Sequence, residues 1–227
     1  MTSGTAAKKG SEPPFDPTSW HGALFVMGGV AAVLWVVQVV NASHHSSLDA
    51  RFGLRPREVR GLWGIGTDPF LHASYGHLLS NTIPFILIGW VVLLSGVRTW
   101  LTVTLIVVVG GGLLTWLLAP SVSPRRVPVE TVPHGIVLGA NGLIFGWLGY
   151  LLARAYFSRK LKWIVVAFLV LFFFGTLLGS LLPSFGANSA WQGNACGFVA
   201  GIGAAALLHP RKRKPTEQRE PRTPAVS

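Results

Sequence analysis

The stretch GANGLIFGWLG occupies residues 139–149, and four of its eleven residues are glycine. These glycines are three or four positions apart, a spacing that places them on one face of a helix. A second stretch, WQGNACGFVAG at residues 191–201, has glycine at every fourth position, at Gly193, Gly197 and Gly201. Small residues at this spacing let two helices approach closely inside a membrane. The two stretches therefore predict a close helix crossing that brings Asn141 and Asn194 together.

The composition of the whole chain places this crossing in a lipid bilayer. Of its 227 residues, 50% are hydrophobic and only 12% are charged, about half the charged fraction that is usual in soluble domains. The lone Cys196 excludes a scaffold held by disulfides within the chain. Six apolar stretches of about 20 residues recur, each long enough to cross about 30 Å of hydrocarbon. The predicted fold is an all-α polytopic membrane protein, a bundle of six transmembrane helices.

These six spans and their flanks define the domain organisation. Residues 1–20 form a polar N-terminal tail that is predicted to be disordered, residues 21–208 the membrane domain, and residues 209–227 a basic tail that is also predicted to be disordered. The predicted spans cover residues 22–40, 77–94, 99–119, 139–156, 161–182 and 191–208. The loop at residues 41–70 carries four arginines and is predicted to be amphipathic, whereas the Pro-rich loop at residues 120–138 is predicted to lack regular structure.

The distribution of basic residues predicts the orientation of the chain in the membrane. With the N-terminus inside, 13 of the 19 lysines and arginines lie on the cytoplasmic side and six lie outside, as the positive-inside rule requires. Six spans then place both termini in the cytoplasm, and the composition favours a bacterial plasma membrane. The four arginines of the first loop fit this orientation when the loop lies in the outer interface.

The charges also indicate which partners to expect. The largest cluster behind the net charge of +11 is Arg211-Lys212-Arg213-Lys214, just after the last span. Anionic lipid explains such a cluster better than nucleic acid, which is not expected as a partner. All eight carboxylates lie outside the predicted spans, which argues against a proton-coupled pump. No cofactor is expected, and no metal site either, because no carboxylate or second cysteine stands at ligand spacing.

Three polar clusters in or beside the spans are the candidate functional residues, because polar groups in lipid are costly. His72, His77 and Asn81 open the second span, where His77 and Asn81 share one helix face. Asn141 opens the fourth span and Asn194 lies near the start of the sixth. Each cluster also has a structural interpretation, since glycine ridges mostly serve helix packing and buried polar side chains often only satisfy backbone groups.

Together these clusters resemble the rhomboid family of intramembrane serine proteases over about residues 21–208. The family has a His-x4-His-x3-Asn pattern on its second span, which His72, His77 and Asn81 match. It has Gly-x-Ser-Gly on the fourth span and a histidine flanked by small residues on the sixth. Residues 139–149 and 191–201 match the surroundings of these two catalytic positions. The long loop before Pro69 also resembles the outer-leaflet loop of the family.

The departures from the family fall on the two catalytic positions. Asn141 stands where the family has its serine nucleophile, and Asn194 stands where it has its histidine base. A carboxamide nitrogen is neither nucleophilic nor basic near neutral pH, because its lone pair is delocalised into the carbonyl. Loss of either member of such a dyad removes most of the catalytic rate. Since each amide can donate and accept, a direct hydrogen bond between Asn141 and Asn194 is predicted.

The resemblance also implies roles for the neighbouring residues. His77 and Asn81, beside His72, would hydrogen-bond the oxyanion of a substrate carbonyl. Phe145 would pack against Asn194, one turn below position 141. Packing around the site is expected from five glycines: Gly139, Gly142, Gly193, Gly197 and Gly201.

Three functions are compatible with these features. The leading interpretation is a pseudoprotease that binds transmembrane segments of client proteins without cutting them. The alternative is an intramembrane serine endopeptidase whose serine and histidine are replaced in this copy. A third interpretation is a small carrier or lipid-handling protein on a related bundle, against which the missing membrane carboxylates argue. Cleavage of a transmembrane substrate by the unaltered chain would exclude the first.

Overall fold

The computed structural model describes residues 15–120, 136–183 and 191–209. Nearly all regular structure in these residues is helical, with an isolated antiparallel bridge between Leu54 and Val137. The helices are α1 (Trp20–Ser43), α2 (Ser47–Phe52), α3 (Gly64–Thr67), α4 (Tyr75–Leu93), α5 (Val97–Ile106), α6 (Gly112–Leu118), α7 (Asn141–Ser158), α8 (Leu161–Phe174) and α9 (Trp191–Leu208). The all-α fold class predicted from the sequence is confirmed.

Helices α7 and α9 form the centre of the bundle and pack against each other through glycine. A Cβ atom added at Gly197 would overlap the carbonyl oxygen of Gly142, and one added at Gly201 would overlap that of Gly146. Without side chains at these positions, the two backbones come into direct contact. This is the pairing that the glycine spacing predicts. On α7, the nine residues from Leu143 to Leu151 are all buried.

The first and second long helices pack against this centre. Helix α1 lies on α4, where Met27 and Trp147 fill the space beside Gly89. The indole of Trp35 donates to Thr82 Oγ at 3.1 Å, and that of Trp90 donates to the carbonyl of Trp20 at 2.9 Å. Helix α1 begins at Trp20, the last residue of the segment predicted to be a disordered tail. Residues 1–14 and 210–227 lie outside the described part of the chain.

Two of the predicted spans contain an irregular turn. Helices α5 and α6 form one continuous rod, Val97–Leu118, in which residues Val107–Gly111 make a π-helical turn. There Gly111 lies against Gly197, so the wider turn sits where α9 approaches most closely. Helix α8 ends at Phe174 and continues as a 3₁₀ helix, Gly175–Leu181. Glycine at 175 and 179 lowers the helix propensity of this part of the predicted span.

Four helices are long and apolar enough to cross a membrane, judged by length and composition within the described residues: Trp20–Ser43, Tyr75–Leu93, Val97–Leu118 and Leu161–Leu181. Helices α7 and α9 are not among them, because asparagine and glycine, and in α7 also Arg154, lower their mean hydropathy. They are also the two helices that pack most extensively inside the bundle, where an apolar surface toward lipid is not needed. The count of six spans stays a prediction.

The loop between α1 and α4 folds over one end of the bundle. Arg57 donates through Nη2 to the carbonyl of Ala119 at 3.1 Å, and Arg55 donates through Nη2 to that of Ala50 at 2.6 Å. The bridge from Leu54 to Val137 joins this loop to the segment that leads into α7. Of the predicted Pro-rich loop, residues 121–135 lie outside the described part. The first loop therefore covers the same end of the bundle at which α4, α7 and α9 begin.

Candidate functional site

The candidate site lies where α4, α7 and α9 begin. Ser74 caps α4, and its hydroxyl accepts a hydrogen bond from the backbone N–H of His77 at 3.1 Å. Asn141 is the first residue of α7, and Asn194 lies in the first turn of α9. The backbone contact between α7 and α9 begins at this level, beside Gly142 and Gly193. Residues from three parts of the sequence are thus brought together.

Gly139 is the point of closest approach between α4 and the start of α7. Its φ of +111° is a conformation that residues with a side chain rarely adopt. A Cβ atom here would stand 2.7 Å from His77 Cε1 and 3.7 Å from Asn81 Nδ2. Its N–H donates to the backbone carbonyl of Asp68 at 3.0 Å, which fixes this turn to the first loop. Gly139 therefore lets the His77 and Asn81 side chains lie directly against the chain that enters α7.

The two asparagines at the catalytic positions have separate hydrogen-bond partners. Asn141 Nδ2 lies 3.0 Å from His77 Nε2, and Asn194 Nδ2 donates to the carbonyl of Ser180 at 3.1 Å. No hydrogen bond joins Asn141 to Asn194 in the described structure, so the predicted direct pair is wrong. Each amide nitrogen instead has a partner on another element, Asn141 on α4 and Asn194 on the 3₁₀ helix after α8.

The contact between Asn141 and His77 matches one tautomer of the neutral imidazole. An amide nitrogen can only donate, so Nε2 of His77 is the acceptor and the ring proton is on Nδ1. In this state His77 cannot offer Nε2–H to a bound carbonyl. Asn81 differs, because its side chain is only 5% exposed and its Nδ2 has no hydrogen-bond partner within the described residues. Asn81 is the buried donor that stays free for a ligand.

His72 lies behind these residues and is fully buried. Its Nε2 accepts a long hydrogen bond, 3.4 Å, from the backbone N–H of Ala140, and its ring lies 5.3 Å from that of His77 in an edge-to-face arrangement. Burial, and to a smaller extent the neighbouring His77, lowers the pKa of His72 from 6.5 to about 4. His72 is therefore neutral near pH 7 and holds the residue that precedes Asn141.

Acidification is expected to destabilise the fold through His72. Its pKa is about 4 in the folded chain and 6.5 in its ordinary state, so the unfolded chain takes up the proton first as the pH falls. This contribution to stability is present above about pH 6.5 and is lost progressively toward pH 4, up to about 3 kcal/mol in all. Unfolding of the full chain in mixed micelles, followed across this range, measures the effect.

The control for this measurement is an exposed histidine, His44. The H72Q variant is expected to lose the part of the pH dependence that His72 contributes, whereas H44Q keeps the profile of the unaltered chain. Identical profiles for H72Q and the unaltered chain would contradict the assignment.

Two residues at the site were not identified from the sequence. Asp68 accepts the N–H of Gly139 through its backbone, and burial raises the pKa of its carboxyl group well above the ordinary value. In the sequence, Asp68 is distinguished only by its position directly before Pro69 and four residues before His72. Ser180 gave no signal, since it lies within an apolar stretch. The predicted contact of Phe145 with Asn194 stays a prediction, although both side chains are buried.

At the two positions that the resemblance assigns to catalysis, the site has amide groups that donate hydrogen bonds. Asn81 and the amides around it can bind a carbonyl oxygen, and neither Asn141 nor Asn194 can attack it or remove a proton. No group of three or more histidine, cysteine, aspartate or glutamate residues within the described ranges could hold a metal ion.

Comparisons with known proteins find a family model and several relatives that are similar to this chain. The family model described as the Rhomboid domain matches residues 59–211. An uncharacterized protein of Mycobacterium tuberculosis is 38% identical over 197 residues, which cover 84% of this chain and 79% of that protein. An uncharacterized protein of Mycobacterium leprae is 35% identical over 197 residues, covering 84% and 75%. Both similarities extend over most of each chain.

Proposed function

The chain belongs to the rhomboid family, and on this premise we propose that it is a proteolytically inactive member that binds transmembrane segments of client proteins. The observation that carries the proposal is the 3.0 Å contact between Asn141 Nδ2 and His77 Nε2. At the position of the nucleophile, the chain has a side chain that only hydrogen-bonds. The same contact occupies the imidazole nitrogen that would otherwise face a substrate carbonyl.

The chemistry of the second position supports the same proposal. Asn194 donates its Nδ2 to the Ser180 carbonyl, so its nitrogen has the role of a donor and not of a base. A serine protease needs an acceptor of the serine proton, and a neutral amide has no free lone pair for it. With both dyad members replaced, only the binding part of transition-state stabilisation is left.

Binding of a client is supported by what the site retains. Gly139 keeps the close approach of His77 and Asn81, and Asn81 Nδ2 is a buried donor without a partner in the described chain. A client helix that unwinds beside the site would expose a backbone carbonyl, which needs such a donor in a membrane. Helix α8 with its 3₁₀ continuation is the least buried of the four candidate spans, at 11%. This open flank is the proposed side of entry.

The cellular setting follows in part from the family. The chain is an integral membrane protein. We propose a bacterial plasma membrane with both termini in the cytoplasm, which the mycobacterial relatives support. Binding of anionic lipid by the basic residues 211–214 is proposed from the sequence, and these residues lie outside the described structure.

Crosslinking to a defined probe tests client binding. A photoreactive amino acid is placed at Leu79 on α4 or at Phe172 on α8, which are 60% and 72% exposed near the site end. The control position is Val39 on α1, 54% exposed at the same end. The probe is a synthetic transmembrane peptide with a central Gly-Pro pair, reconstituted with the full chain in liposomes.

The expected result is a peptide adduct from positions 79 and 172 that exceeds the adduct from position 39 about tenfold. The substitution Asn81→Ala is expected to reduce it, because it removes the free donor. Equal adducts from all three positions would contradict the proposal, since they would indicate random collision in the bilayer.

A second candidate function is an intramembrane serine endopeptidase with its dyad replaced in this copy. It is favoured by the retained geometry of Gly139, His77 and Asn81. Restoring serine at position 141 and histidine at position 194 tests whether the site can still support proteolysis. The unaltered chain is expected to be inactive under both interpretations.

A further inference from the structure

A second polar cluster lies at the end of the bundle opposite the candidate site. It consists of Tyr150 and Arg154 near the end of α7, Trp163 at the start of α8, and His209 directly after α9; we name it the Arg154 cluster. The three helices meet here because α7 and α9 run in the same direction and a short turn leads from α7 to α8. None of its residues takes part in the site around Asn141.

Arg154 is held inside this cluster and does not extend freely into solvent. Its Nη1 donates to the hydroxyl of Tyr150 at 2.8 Å, and that hydroxyl lies 3.2 Å from His209 Nε2. Its guanidinium carbon lies 3.5 Å from the centre of the Trp163 ring. Tyr150 is fully buried and Trp163 is 9% exposed. Stacking and the hydrogen bond together fix the plane of the guanidinium group.

The charge of Arg154 lacks a counterion in the described structure. Its Nε is buried without a hydrogen-bond partner, and no described carboxylate lies within salt-bridge distance of it. The Oγ atom of Ser158, one turn further along α7, is also buried and unpartnered. A partly buried cation whose Nε lacks a hydrogen-bond partner is costly unless an anion compensates it.

The surroundings of Arg154 are positively charged. The turn from α7 to α8 carries Arg159 and Lys160, and Lys162 follows in the first turn of α8. Burial, together with the charges of Arg154 and Lys160, lowers the pKa of His209. This field attracts an anion to the end of the bundle.

We propose that the Arg154 cluster binds a phosphate group, with the rigid guanidinium of Arg154 as its principal donor. Arginine binds phosphate through its guanidinium N–H donors, and Tyr150 holds the guanidinium group of Arg154 in a fixed orientation. The end of a helix bundle in a membrane lies at the depth of lipid headgroups. An anionic phospholipid is one source of the group and soluble phosphate is the other.

Native mass spectrometry of the delipidated full chain tests the proposal with three probes: phosphatidylglycerol, phosphatidylcholine of the same acyl chains, and inorganic phosphate. The variants are Arg154→Gln and Tyr150→Phe, the second of which removes only the hydroxyl that holds Arg154. The matched control is Arg98→Gln, which removes an exposed arginine from the same end of the bundle. Thermal unfolding without lipid shows whether each variant folds.

The unaltered chain and R98Q are expected to retain one phosphatidylglycerol at least about tenfold more tightly than R154Q does, with Y150F between them. Displacement of the lipid by millimolar inorganic phosphate would identify the phosphate group itself as the ligand; resistance to displacement would assign the site to the lipid. Both results support the proposal.

Two results would overturn it. Equal losses in R98Q and R154Q would indicate an unspecific basic surface. Equal retention of phosphatidylcholine and phosphatidylglycerol would exclude selection of an anion.

Discussion

The double variant N141S/N194H is expected to cleave a transmembrane substrate, whereas the unaltered chain and both single variants do not. The dyad acts as a unit, so restoring one member alone leaves the rate near that of the background. The expected gain of the double variant over the unaltered chain is roughly ten-thousand-fold. The measurement is cleavage of a transmembrane peptide with a helix-breaking centre, in liposomes, followed by mass spectrometry of the fragments.

The close approach of α7 and α9 favours this gain. Positions 141 and 194 lie in the first turns of α7 and α9, whose backbones approach so closely that a Cβ at Gly142 would stand 3.3 Å from the Gly193 carbonyl oxygen. Replacing Asn141 also releases His77 Nε2. Adding Asn81→Ala to the double variant is expected to lower its rate about a hundredfold, because an oxyanion donor is removed. A double variant that folds and stays inactive would show that the site is no longer preorganised.

The glycine contacts between α7 and α9 are expected to dominate the stability of the bundle. The substitutions Gly197→Ala and Gly201→Ala should each lower the free energy of unfolding by about 2–4 kcal/mol, because the new methyl group would overlap the carbonyl of Gly142 or Gly146. Moving α7 and α9 apart to make room for the methyl group would also disturb the site, because Asn141 and Asn194 lie at the same crossing. Unfolding of the full chain by detergent titration measures the loss.

Gly203 provides the matched control on the same helix. A Cβ at this position meets no atom within 4 Å, so Gly203→Ala gains helix propensity without a clash. It is expected to leave stability unchanged or raise it by about 0.5–1 kcal/mol. Equal stability of G197A, G201A and G203A would contradict the packing described for α7 and α9.

The sequence predicts features that depend on spacing along one helix. Glycines four apart at 193, 197 and 201 predict the ridge that meets α7, because helical periodicity fixes their common face. The i, i+4 spacing of His77 and Asn81 likewise predicts that they share one face of their helix. Both features follow from the positions of residues on one helix. They do not depend on the relative shift of neighbouring helices.

The sequence does not predict contacts that depend on the relative positions of helices. Asn141 and His77 are 64 residues apart, and which of several nearby acceptors the amide chooses depends on shifts of about an ångström. Ser180 offers a backbone carbonyl to Asn194 only because the chain tightens into a 3₁₀ helix after Phe174. The Arg154 cluster is another such case, as it joins α7, α8 and α9 at their ends.

Labelling with a fluorophosphonate probe of serine nucleophiles tests the central claim most directly. The unaltered full chain in liposomes is expected to remain unlabelled, and N141S/N194H is expected to be labelled at position 141, with N141S alone labelled weakly. Stoichiometric labelling of the unaltered chain would reveal an activated serine elsewhere, and the assignment as an inactive rhomboid protein would then be wrong.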